Sequence, residues 1–156
     1  MREEIKHTKT INNKGFSIIE LIIVIAIMMI LIGIVSTQLV PYIEKSKQAK
    51  DQEILSSMLT SAATAFASNP ESYDSSSKIS FMYELNVNPS CADAPKVLTE
   101  FQTLTGFHTL NDITKKMSSK AGKGISKVVI TRDSSGVVTI TTTSSVTGIF
   151  DELSSN

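Results

Sequence analysis

From Phe16 to Val35 the chain runs for twenty residues with only Ser17 and Glu20 polar. A helix over that stretch, at about 1.5 Å per residue, is roughly 30 Å long, the thickness of a bilayer's hydrocarbon core. An ordinary secretory signal has a shorter apolar core and a small-x-small cleavage site after it. Here the run is followed by "STQLVPYIEKSK", with no Ala-x-Ala. The run is therefore expected to be kept as a span. Arg2, Lys6, Lys9 and Lys14 outweigh Glu3 and Glu4 in the short polar segment ahead of it. Positive charge beside a span favours the cytoplasmic side, so the N-terminus is expected inside and the bulk of the chain outside.

Glu20 is the anomaly in this run. A carboxylate within hydrocarbon costs about 2.5–3.5 kcal/mol on insertion scales. One reading is that Glu20 lies close enough to the cytoplasmic end to reach the headgroups. The other is a cationic partner at the same depth. Between Phe16 and Pro41 there is no basic side chain. Cleavage after Gly15 would make one, because the new α-amine on Phe16 would lie one helical turn from Glu20 and, with a pKa of about 7.7–8, would be largely charged at neutral pH. Glycine is thin enough to let a membrane-face protease approach the bond behind it.

These residues resemble the class III signal of type IV prepilins and of the pseudopilins of type II secretion and competence systems. Lys14, Gly15, Phe16, Ser17, Ile18, Ile19, Glu20 and Leu21 fill the pattern in order: basic leader, Gly, Phe, hydroxyl residue, two aliphatics, Glu, apolar run. The resemblance is specific over residues 14–40, extends by architecture over 41–67, and is silent on 68–156. It implies that a prepilin peptidase cuts between Gly15 and Phe16 and N-methylates Phe16. It implies that Glu20 then neutralises the Phe16 amine of a neighbouring subunit. Leu21, Ile22, Ile25, Ile32 and Val35 would pass from membrane lipid into a fibre core. The implied partners are copies of the same chain, the peptidase, an assembly platform and minor pilins. The implied locations are the bacterial cytoplasmic membrane before assembly and a cell-surface fibre after it. A pseudopilin of a secretion or competence machine is the alternative within the family, and a membrane-anchored binding domain that never polymerises is the alternative outside it.

The domain plan is a leader over 1–15, a transmembrane or fibre-core helix over 16–40, its amphipathic continuation over 41–67, and a head over 68–156. The fold class expected is α+β, a long helix packed on a small domain with an antiparallel hairpin. Pro41 is expected to kink the helix. Beyond it, Ile54, Met58, Ala62 and Ala65 fall at helical spacing, with Leu55, Leu59 and Phe66 on the adjoining stripe. Glu44, Lys45, Lys47, Lys50 and Asp51 read as a wet face. "ISFMYEL" (79–85) fits either a strand or a helical turn. Short helices are expected over 96–105, with Val97, Phe101 and Leu104 on one face, and over 111–119, capped by Asn111 with Ile113 and Met117 inward. "SSKAGKG" (118–124) reads as a flexible break. Strands are expected over 127–132 and 136–143, joined by "DSSG". Ile149, Phe150 and Leu153 are available to cover them. Two strands are fewer than the three or four usual in a pilin sheet.

Fifteen basic residues balance fifteen acidic ones, with no clustered basic face to mark a nucleic-acid binder. Tryptophan is absent and aromatics are few, so the core is expected to be small and aliphatic. The single cysteine, Cys91, excludes an internal disulfide and reads as a packing or loop thiol. Ser75 and Lys78 have a Ser-x-x-Lys spacing without the companion motifs of an acyl enzyme. His108 has no histidine cluster around it. Asp93, Asp112, Asp133 and Asp151 lack the alternation of a calcium loop. Lys115, Lys116, Lys120, Lys123 and Lys127 read as a solvated face. No catalytic, cofactor or metal-ligating residue is assigned, and no enzyme is expected.

Overall fold

The computed structural model describes residues 15–145, 150 and 153–155. Helix α1 runs from Ile18 to Ser68. It is followed by a single 3-10 turn, Pro70–Ser72, and strand β1, Ile79–Glu84. Three short helices come next: α2 Pro95–Thr105, α3 Leu110–Lys116 and α4 Lys120–Lys123. Strands β2 Ile125–Arg132, β3 Val138–Ser144 and β4 Leu153–Ser154 complete the chain. By contacts the chain divides into two compact units, Met1–Val40 and Pro41–Asn156. The boundary falls at Pro41, whose ring offers no N–H to the carbonyl of Thr37. The fold is α+β and pilin-like, a long N-terminal helix followed by a small antiparallel sheet domain.

In the first unit every described residue, from Gly15 to Val40, is exposed. This is one helix apolar enough to cross a membrane, with mean hydropathy 3.2 over its most apolar window and none of that window buried. In the second unit the same helix acquires a buried stripe of Asp51, Leu55, Met58, Ala62, Ala65 and Phe66. Their spacing of three and four residues keeps them on one face. Ile54 and Leu59 are half-buried beside it.

The sheet is a four-stranded antiparallel meander in the order β1-β2-β3-β4. β1 resolves the ambiguity of residues 79–85 in favour of a strand. Ile79, Phe81 and Tyr83 point inward and Ser80 and Met82 outward, the period-two pattern of a half-buried strand. Phe81 faces Ile130, and Ile130 faces Ile140. The β2–β3 turn has Gly136 at φ +93°, which only glycine adopts without strain. Against the two strands expected, the described residues form four: the others are β1, over the ambiguous stretch, and β4, a two-residue edge pairing Ile140 with Leu153. Phe150 packs against the core; Ile149 lies outside the described residues.

Four further expectations are corrected. The core is not merely aliphatic. Phe66, Phe81, Phe101 and Tyr83 pack in series with ring centroids 5.3–6.2 Å apart, so the few aromatics are concentrated in one place. In α2 the buried face is Val97, Leu98 and Phe101, and Leu104 is exposed near the helix end. Asn111 does not cap α3. Thr109 does, in a reciprocal box with Asp112, while Ile113 and Met117 are buried as expected. The segment 118–124 is no loose break but carries α4, capped by the Ser119 hydroxyl, which accepts the Gly122 amide at 2.9 Å.

Asp51 departs furthest from its reading as part of a wet face, for it is fully buried. Its Oδ1 accepts the Ser118 amide at 2.7 Å, and its Oδ2 accepts the Ser119 amide at 2.8 Å and the Ser119 hydroxyl at 2.5 Å. A buried carboxylate is tolerable when donors surround it in this way.

Candidate functional site

Gly15, Phe16 and Ser17 precede the helix, all three are exposed, and no neighbour lies within 4 Å of where a Gly15 side chain would begin. The Gly15–Phe16 bond is therefore in non-helical, accessible backbone, as a scissile peptide must be. Phe16 is 81% exposed. The basic residues of the leader, Arg2, Lys6, Lys9 and Lys14, and His7 lie outside the described residues.

Helix α1 opens with the Leu21 amide donating to the Ser17 carbonyl at 3.2 Å. The Ser17 amide donates to Glu20 Oε2 at 2.9 Å. Glu20 thus satisfies a backbone donor that the helix itself cannot, and its negative charge lies at the positive end of the helix dipole. This is the backbone half of a capping box. Neither contact with the headgroups nor a cationic partner, the two readings the sequence offers for Glu20, includes this amide. The signal was present, because Ser17-Ile18-Ile19-Glu20 has the S-x-x-E spacing. Leu21, Ile22, Ile25, Ile32 and Val35 are between 43% and 64% exposed and form a continuous apolar helix surface among the described residues of this unit.

Residues 11–36 match the family model of the prokaryotic N-terminal methylation motif. That match supports a type IV pilin-like protein. The motif implies processing by a prepilin peptidase and assembly into pilus-like polymers, and it fits membrane anchoring before assembly. No curated protein and no solved structure matches the chain.

The remaining candidate residues of this pilin-like chain have local structural roles. Asp74 accepts the Ser76 amide at 2.9 Å and hydroxyl at 2.7 Å, so the serine-rich loop around Ser75 and Lys78 is an acid-centred turn. The Ser76 hydroxyl and amide hold the Asp74 carboxyl below the usual carboxylate range. Asp133 does the same for the β2–β3 turn, accepting from Ser135 and Val137, and its carboxyl is likewise lowered, first by the Ser135 hydroxyl. Asp112 accepts the Thr109 hydroxyl and amide, which lower it, and the amide of His108. Asp93 is exposed between buried Cys91 and Ala94, and Asp151 lies outside the described residues. Burial pushes the Cys91 thiol up, away from the reactive thiolate. The five lysines are spread over α3, α4 and β2. Among the described residues no three potential metal ligands come together.

Proposed function

We propose that the chain is the precursor of a fibre subunit. A prepilin peptidase removes residues 1–15 and N-methylates Phe16, and the mature chain polymerises through its apolar helix. The observation that carries this reading is the Gly15–Phe16 bond in exposed, non-helical backbone, directly ahead of an exposed apolar helix with Glu20 in its first turn. The methylated amine stays basic, so it pairs with a carboxylate as an unmodified one would. A carboxylate has about four lone-pair sites on two oxygens. The Ser17 amide uses one oxygen of Glu20, which leaves the group able to receive the Phe16 amine of a neighbouring subunit as well. Because an unpaired acid in lipid is costly, that pairing favours subunits that meet in register.

Leu21, Ile22, Ile25, Ile32 and Val35 face lipid before assembly and other subunits after it. Pro41 is the point at which the helix is expected to bend. The assembly platform and minor pilins are its remaining partners. A surface pilus is the proposed product, and the pseudopilus of a secretion or competence machine is the alternative.

Mass spectrometry of the membrane-extracted protein tests the reading. The expected mature N-terminus is methylated Phe16. An N-terminus at Met1, with an uncut Gly15–Phe16 bond, would overturn it. Gly15→Leu should leave the full-length precursor in the membrane, and normal processing of that variant would remove Gly15 from the site.

A further inference from the structure

We propose that Glu44 and Asp51 form a load-bearing clamp, through which tension on the apolar part of α1 enters the sheet domain. Three consecutive backbone amides are held by these two acids. Ser118 and Ser119 donate to Asp51 at 2.7 and 2.8 Å, and Lys120 donates to Glu44 at 2.6 Å. Glu44 and Asp51 are seven residues apart on α1, about 10 Å along the axis at 1.5 Å per residue. The strip 118–120 spans two peptide repeats, about 7 Å. It therefore runs alongside the helix from one acid towards the other.

Position in the fold gives this strip its role. Along α1 from the N-terminal end, Glu44 is the first residue that is not fully exposed and Asp51 the first that is buried. The clamp is the first polar attachment that a pull on the helix meets. Tension along α1 displaces both carboxylates in the same direction past the same strip. The bonds are then loaded together in shear and do not open one after another. They are also charge-assisted, the stronger class of hydrogen bond.

Beyond the clamp the connection continues without a gap. Ser119 caps α4, the Ser145 amide donates to the Gly124 carbonyl at 3.0 Å, and the Ser144 hydroxyl donates to the Ala121 carbonyl at 2.8 Å. Force on α1 passes through two carboxylates into α4 and on to the end of β3. The apolar stripe below Leu55 resists separation but has no such directionality. This role rests on the fibre-subunit reading for the source of the load. The clamp itself is a property of the chain and is tested without any fibre.

The test is single-molecule pulling of the full chain in detergent, in a Cys91→Ser background. One handle pair, Gln38→Cys with Ser134→Cys, loads the head through α1. The other, Ser76→Cys with Ser134→Cys, loads the head through two of its own turns. Asp51→Asn should shorten the lifetime under constant load by at least about tenfold through the first pair, the scale of one charge-assisted bond, and leave the second within about twofold. Equal shortening in both geometries would make the acids ordinary contributors to stability and overturn the clamp, as would no shortening in either. If Asp51→Asn does not fold, Glu44→Ala on the helix surface takes its place. It should shorten only the first lifetime and speed hydrogen exchange at the Lys120 amide. The N-terminal mass of the same preparation reports separately on processing.

Discussion

Gly122→Ala sets two physical effects against each other. Gly122 lies within α4 and its φ is not in the left-handed region. On helix propensity alone, alanine there should stabilise by about 0.8–1 kcal/mol. The packing says the opposite. A β-carbon on residue 122 would collide with Asp51 Oδ2 and stand 2.8 Å from the Met117 β-carbon. Neither neighbour is the loose end of a flexible side chain. Asp51 is fully buried and fixed by three donors, and Met117 is buried at the end of α3. Displacing the carboxylate leaves one or two buried donors unsatisfied, at about 1–3 kcal/mol each. Subtracting the propensity gain leaves a net loss of up to about 5 kcal/mol, roughly 2–3 kcal/mol at mid-range. For a domain of this size that lowers Tm by roughly 5–15 °C. The assay is thermal unfolding of the full chain in detergent, followed by the near-ultraviolet signal of the buried Tyr83. In an Asp51→Ala background the clash with the carboxylate is gone and only the Met117 contact remains, so Gly122→Ala should then cost clearly less than it does alone, a non-additive pair. A raised Tm for the single variant, or additive losses for the two, would refute the contact.

The other perturbations are simpler. Glu20→Val should be cut and inserted but yield few fibres, whereas Glu20→Gln keeps an acceptor for the Ser17 amide without the charge. If Glu20→Gln assembles at wild-type yield by electron microscopy while Glu20→Val does not, the cap and not the charge is what assembly needs. Asp112 has its carboxyl lowered by Thr109, so its contribution to α3 is full above the unfolded value of about 3.9 and is lost as pH falls through the lower folded value. The protection of the Thr109 amide, relative to its intrinsic exchange rate at each pH, should therefore fall in acid, and Asp112→Asn should abolish that fall.

The two units were unequally legible in the sequence. The apolar half of α1 was legible because its pattern is local and one-dimensional. A run of twenty residues with only two polar ones needs no tertiary partner to be identified. β2 and β3 were legible for the same reason, since β-branched runs flank an Asp-Ser-Ser-Gly turn. β4 was not, because two residues carry no periodicity, and their pairing comes only from the neighbouring β3 edge. Thr109 and Ser119 were overlooked as caps for a different reason. Their signals, T-x-x-D and a serine before a four-residue helix, are short enough to arise anywhere. Asp51 was the least legible. Its neighbours Lys47, Lys50 and Glu53 are exposed, and nothing in the local sequence distinguishes a solvated acid from one that meets amides 67 and 68 residues away. At the candidate site, the Gly15-Phe16-x-x-x-Glu20 spacing is legible in the sequence, whereas the bond from the Ser17 amide to Glu20 depends on the backbone turn that opens α1.

Glu20 and Asp51 answer one physical problem in two ways. Each is an acid on α1 in a place where a bare carboxylate is costly, and each accepts backbone amides. Asp51 is enclosed by three donors from its own chain and lies at the point where the helix becomes buried. Its bonding is complete within one chain, so it needs no partner from outside. Glu20 has one backbone donor, in a first turn that is fully exposed. A single amide hydrogen bond, worth about 1.5–3 kcal/mol net to a charged acceptor, offsets a cost of about 2.5–3.5 kcal/mol in lipid only in part. The remainder is a standing incentive to acquire a cation from outside the chain. That difference, a satisfied acid in the head and an under-satisfied one at the helix start, is what the single chain offers in favour of assembly at its N-terminus.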